Sequence, residues 1–155
     1  MAVQPIPDGY HTVTPYLAVD DAAAAIDFYK RAFGAKETVR MPMDDGKIAH
    51  AEIKIGDSLL MMSDPMEQST VRPPKETGNP TASIFMYVED VDATVEQAVA
   101  AGATVTIEVQ DAFWGDRWGT LTDPFGHLWS VATHVEDVPP EEMAARAKSA
   151  TAETG

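Results

Sequence analysis

The chain has 155 residues, 45% of them hydrophobic and 23% charged, which suits one domain with a core of its own. Eleven basic against 25 acidic residues leave a net charge of −14, which repels a polyphosphate backbone and argues against nucleic acid as a partner. With no cysteine there are no disulfides or thiolate ligands, and with no apolar run near the roughly 20 residues of a membrane span and no signal layout at "MAVQPIPDGY", a cytoplasmic protein without membrane contact is expected.

Residues 1–11 read as an N-terminal extension. In "TVTPYLAVDD", Val13, Pro15, Leu17 and Val19 alternate with Thr12, Thr14, Tyr16 and Ala18, the period of a strand over residues 12–21. The Asp pair then caps a helix, "AAAAIDFYKRAFG", in which Ala22, Ile26, Tyr29 and Phe33 fall at helical spacing and Gly34 supplies a left-handed stop. Three strands follow, "KETVRMPM", "KIAHAEIKI" and "DSLLMMS", separated by "DDG" and "GD" turns. Residues 12–63 thus form a βαβββ unit.

A polar, Pro-rich connector, residues 64–80, leads into a second pass through the same order over residues 81–134: strand "TASIFMYV", helix "VDATVEQAVAAG", then strands near 104–110, 117–122 and 127–134. Val19 matches Val88 at an offset of 69, Gly34 matches Gly102 at 68, and Met61 matches Ser130 at 69. Spacing held through five elements indicates duplication. The tail, residues 135–155, opens with a Pro pair and acids and reads as a short helix.

Each unit's single helix covers one face of its sheet. The expected fold is therefore α+β, two βαβββ modules forming an open eight-stranded cup with the helices outside and ligands on the concave side. Alternation assigns Thr14, Tyr16, Ser83, Phe85 and Tyr87 to that concave face, with Trp114 added from the loop "DAFWGDRWG". Gly115 and Gly119 in that loop fit either a mobile lid or a tight strand entry, and Asp116 with Arg117 fits an exposed ion pair. Trp118 and Trp129 fall with the helix-facing set.

The runs "PYLAVDDAAAAIDFYKRAFGA", "IAHAEIKIGDSLLMMSD", "FMYVEDVDATVEQAVAAGA" and "FWGDRWGTLTDPFGHLW" resemble the vicinal oxygen chelate superfamily, which includes glyoxalase I, bleomycin-resistance proteins and extradiol dioxygenases. The resemblance covers residues 12–133 and is strongest to bacterial glyoxalase/bleomycin-resistance-like proteins. The positions at which the family's metalloenzymes carry their ligands fall on Thr14, Met61, Ser83 and Ser130, and the resemblance also implies a homodimer. Neutral hydroxyls and a thioether do not replace imidazole and carboxylate around a hard divalent ion, so no metal and no cofactor are expected. "DPFG" then reads as a hairpin kept for its turn chemistry.

His50 and Glu52 lie two apart on one strand and share the open face, and an offset of 69 places Arg117 on the corresponding face of the second module. A His, a carboxylate and a guanidinium there fit two roles, a catalytic set and a structural polar network. A displaced metal site built from His50, Glu52 and His127 fits by ligand type only. The functional expectation is a small-molecule-binding protein that sequesters an aromatic or cationic compound. The alternative is a glyoxalase-like lyase or isomerase.

Overall fold

The computed structural model describes residues 2–152; residue 1 and residues 153–155, the last three of the expected tail, lie outside the described residues. The first module consists of β1 (Tyr16–Ala18), α1 (Ala22–Phe33), β2 (Lys36–Pro42), β3 (Ile48–Ile55) and β4 (Ser58–Ser63). The second consists of β5 (Ser83–Tyr87), α3 (Val91–Ala101), β6 (Thr104–Asp111), β7 (Asp116–Thr122) and β8 (Leu128–His134). Between them lies the single turn α2 (Pro74–Thr77), and α4 (Pro140–Ala152) closes the described chain.

The sheets run β1-β4-β3-β2 and β5-β8-β7-β6, the same order twice, and in each the first strand pairs in parallel with the last (β1 with β4, β5 with β8). The eight strands remain two sheets of four that do not close on one another. The first strand is shorter than its alternation predicts: ladder pairing begins at Tyr16, just after a proline that has no N–H to donate.

Local chemistry sets the helix ends. The Asp21 carboxylate accepts from Ala24 N–H at 3.0 Å and Gly34 takes φ +66°, so α1 is capped at both ends. Asp90 accepts from Ala93 N–H at 3.0 Å at the start of α3, the same device in the second copy. Buried Asp64 accepts from Ala22 N at 2.8 Å and Ile48 N at 2.6 Å, which ties the end of β4 to the starts of α1 and β3.

Both sheets turn one face to a shared core. Helix α1 buries Ala25, Ile26, Phe28, Tyr29 and Ala32 completely or nearly so, against Ala51, Ile53, Leu60 and Met62 of its own sheet. It also crosses to the second module: the Tyr29 ring lies 5.4 Å from that of Trp129, and Phe33 lies 4.7 Å from Trp129. Burying each ring of this size contributes roughly 1.5–3 kcal/mol. Helices α1 and α3 touch through the Gln97 side chain, which donates to the carbonyls of Arg31 and Ala32.

At the centre of this junction sits the Asp123 carboxylate of the "DPFG" turn, 4% exposed. One oxygen accepts from Tyr29 O–H at 2.5 Å and Trp129 Nε1 at 2.9 Å; the other accepts from the Phe125 and His127 amides. Burial, with the Asp123 charge beside it, pushes the Tyr29 hydroxyl well above its usual range. The turn is a bolt between modules as well as a hairpin.

Candidate functional site

The faces turned away from the helices carry the candidate chemistry. On the first sheet, Tyr16, Met61 and Glu52 lie side by side, because Met61 pairs with both Tyr16 and Glu52 in the ladder. Tyr16 O–H meets His50 Nδ1 at 3.0 Å, and His50 Nε2 meets Glu52 Oε1 at 3.0 Å. An ionised carboxylate only accepts, so Nε2–H donates to Glu52 and Nδ1 accepts from the tyrosine. Tyr10 of the N-terminal arm donates to the other Glu52 oxygen. Hydrogen bonds from His50 and Tyr10 hold Glu52 below the usual carboxylate range despite partial burial, and the same contact pushes Tyr10 up to about 12.

The His50–Glu52 pair therefore forms, and Arg117 is not part of it. Arg117 Nε donates to Asp92 at 2.7 Å and its Nη1 to Asp111 at 3.2 Å, at the start of α3 and the end of β6. The misplacement has a simple origin. Met61 pairs with Glu52, and Ser130 pairs with Thr120, so Glu52 corresponds to Thr120 at an offset of 68. The "DPFG" hairpin holds one residue more than its counterpart, and an offset of 69 carried across it inverts the strand. Gly119 and Leu121 accordingly face the core, while Trp118 lies on the open side. Trp129 faces the core as its parity predicts.

On the second sheet the open face is aromatic. Phe85 and Tyr87 are 48% and 63% exposed with ring centres 5.2 Å apart, and Phe113, Trp114 and Trp118 continue edge to face at 5.1 and 5.3 Å. Beneath them Asp116, 2% exposed, is no surface partner of Arg117. One of its oxygens accepts from Tyr87 O–H and Trp114 Nε1, each at 2.9 Å, and the other faces His134 Nδ1 at 2.8 Å. Burial pushes the Asp116 carboxyl up, but the donors His134, Tyr87 and Trp114 outweigh it and hold the group low. Asp137 and Asp116, bonded to the two His134 nitrogens, raise the imidazole.

Sequence reasoning missed Tyr10, which sits in an arm without periodicity. It also missed His134, although the parity of Ser130 points to it, and the burial of Asp116. The loop at Gly115 is the tight strand entry of the two options: a Cβ there would stand 2.1 Å from the Glu136 carbonyl oxygen.

Two hollows take residues from both modules. One, about 720 Å³, is lined by Tyr16, Ser83 and Phe85; the other, about 1210 Å³, by Thr14, Phe85, Tyr87 and His134. A third, about 590 Å³, lies under the N-terminal arm and is lined by Tyr10, Thr14, Glu52 and Met61. The expected binding residues are thus shared among three hollows; Trp114 and Ser130 lie on the open face outside them. The set Thr14, Met61, Ser83 and Ser130 does not fit a hard divalent ion by donor chemistry. His127 stands apart from His50 and Glu52, with Nε2 donating to the Ala18 carbonyl at 2.8 Å, so the displaced set does not assemble. Among the described residues, no three His, Asp or Glu side chains converge as a metal site.

The family model of the Glyoxalase/Bleomycin resistance protein/Dioxygenase superfamily matches residues 10–131. The chain belongs to this superfamily. The glyoxalase-superfamily chain is 42% identical over 140 residues to the protein Rv0887c of Mycobacterium tuberculosis (strain H37Rv), covering 88% of this chain and 82% of the relative. Protein YjdN of Escherichia coli K12 is 27% identical over 145 residues, covering 77% and 92%. Among solved structures, TioX from Micromonospora sp. ML1 aligns with a TM-score of 0.65 at 32% identity, covering 81% of this chain and 99% of that one. The Arabidopsis thaliana At5g48480 product aligns at 0.65 and 28%, covering 79% and 98%. No helix among the described residues is long and apolar enough to cross a membrane.

Proposed function

We propose that this protein binds a flat aromatic small molecule in the hollows where the two modules meet, that it does so without a metal ion, and that it works as a homodimer. The observation that carries this reading is the exposed pair Phe85 and Tyr87, which line a hollow of about 1210 Å³ while Phe85 and Tyr16 line one of about 720 Å³. Rings left in water at the mouth of a cavity of ligand size supply stacking surface worth about 0.5–1.5 kcal/mol per ring pair beyond burial. A second copy covering the exposed rings Tyr16, Phe85 and Tyr87 accounts for apolar surface that a lone chain leaves wet. The charge of −14 favours a neutral or cationic ring system over most of the surface.

Thermal unfolding and light scattering on the same samples test this. Flat aromatic compounds are expected to raise the melting temperature, to be recovered unaltered, and to bind about tenfold more weakly to Phe85→Ala, with a mass near twice 16.7 kDa. A broad panel that leaves the melting temperature unmoved, or a monomeric mass, would count against the corresponding part of the reading.

A second reading follows from the hydrogen-bonded row Tyr16–His50–Glu52. Glu52 fixes the imidazole with Nε2 protonated, which leaves Nδ1 as the base facing the Tyr16 hydroxyl, and Tyr16 is 46% exposed. Proton transfer through that hydroxyl fits an isomerase or lyase of glyoxalase type. With the hemithioacetal of methylglyoxal as substrate, His50→Ala is expected to abolish turnover with the fold intact; equal rates for the variant and the parent chain dismiss the role.

A further inference from the structure

Of the chain's five arginines, four are clamped to carboxylates: Arg31 to Asp27, Arg40 to Glu37, Arg117 to Asp92 and Arg146 to Glu136. Among the described residues, Arg72 has no such partner, in a chain with 25 acidic side chains to offer. Arg72 lines the 720 Å³ hollow, as do the aromatic residues Tyr16 and Phe85. The lining of that hollow contains no Asp or Glu; its other polar side chains are neutral hydroxyls and amides such as Thr70, Asn79 and Ser83, together with His127.

The segment that carries Arg72 is held in place. Ser69 Oγ bonds both the amide and the carbonyl of Val71, and Pro73 and Pro74 are buried, with Pro74 packed where a Cβ on Gly126 would meet it at 2.9 Å. His127, fixed by its bond to the Ala18 carbonyl, also lines the hollow. A guanidinium on an anchored stretch, in a hollow lined by aromatic rings and no carboxylate, is a local reversal of the protein's overall charge.

We infer that this hollow recognises an aromatic compound bearing an anionic group, a carboxylate or sulfonate, with Arg72 binding the anion and Tyr16 and Phe85 taking the ring. The guanidinium fork matches an oxyanion bidentately, and such charge-assisted pairs are about twice as strong as neutral hydrogen bonds. The inference deepens the binding reading above and rests on it. It differs from that reading in the sign of charge it selects, since the surface as a whole repels anions.

Two fluorescent probes of nearly the same shape separate the two ideas in the full chain. 8-Anilinonaphthalene-1-sulfonate carries the anion, and N-phenyl-1-naphthylamine lacks it. Arg72→Gln, an exposed connector substitution, is expected to weaken sulfonate binding about tenfold while the neutral probe changes less than twofold. Unchanged sulfonate affinity, or equal losses for both probes, overturns the anion site and leaves aromatic binding standing. Failure of the parent chain to bind either probe removes both.

Discussion

Asp123→Ala is expected to lower the unfolding free energy by about 3–5 kcal/mol, a third or more of what a domain of this size commonly has. The carboxylate takes four donors, the Tyr29 hydroxyl, the Trp129 indole and the amides of Phe125 and His127, at a site 4% exposed. Each buried donor left without an acceptor costs about 1–3 kcal/mol, and water admitted by the truncation offsets part of the sum. Asp123→Asn should recover little: its one remaining oxygen can serve the two amides, but its NH2 then points at two further donors. Tyr29→Phe removes a single donor and should cost about 1–2 kcal/mol. Urea unfolding followed by tryptophan fluorescence measures all three; a loss below about 1 kcal/mol for the alanine variant would remove Asp123 from its place as the bolt between modules.

Gly115→Ala is expected to release the C-terminal segment. Gly115 sits at φ +103°, where an L side chain is strained, and its Cβ would fall 2.1 Å from the Glu136 carbonyl oxygen and 3.1 Å from Val138. The Gly115 carbonyl also accepts from the amides of Val135 and Glu136, so backbone movement that relieves the clash breaks two hydrogen bonds. Nothing on α4 is buried, and Arg146 ties it to Glu136 and to the Phe113 carbonyl. Undocking of residues 135–152 is the expected relief, since it gives up these two bonds and leaves the strands and the core in place. Limited trypsin digestion should cleave at Arg146 and Lys148 at least tenfold faster in the variant, while urea stability of the remainder changes by about 1 kcal/mol or less. Cleavage at the parent rate would mean that the clash is relieved elsewhere.

The repeat, the helix caps and the inward sets of β1, β3, β5 and β8 were legible in the sequence because each rests on a local rule: alternation, an Asp before a helical stripe, a Gly after it. His50 and Glu52 were found for that reason, as were the open positions of Tyr16, Phe85 and Tyr87. Arg117 and Trp118 were assigned to the wrong faces because side-chain direction depends on which turn absorbs an extra residue, and a comparison of copies does not locate that gap. Asp116 and Asp123 lay beyond reach for a different reason. Their partners, Tyr87 and His134 for one and Tyr29 for the other, are distant in sequence, and an acid in a turn carries no mark of burial. Tyr10 closed over Glu52 from 42 positions away, which no period records.

The bond from Tyr29 to Asp123 spans 94 positions. On a translating ribosome, adding roughly 5–20 residues per second, the first helix therefore waits on the order of 5–20 s for the turn that completes its shell. Throughout that interval Tyr29 and Phe33 lack Trp129, and Tyr29 lacks Phe125, the rings that pack on them in the finished fold. Synthesis rate and holdase capture consequently bear on the yield of this protein more heavily than its modest size implies.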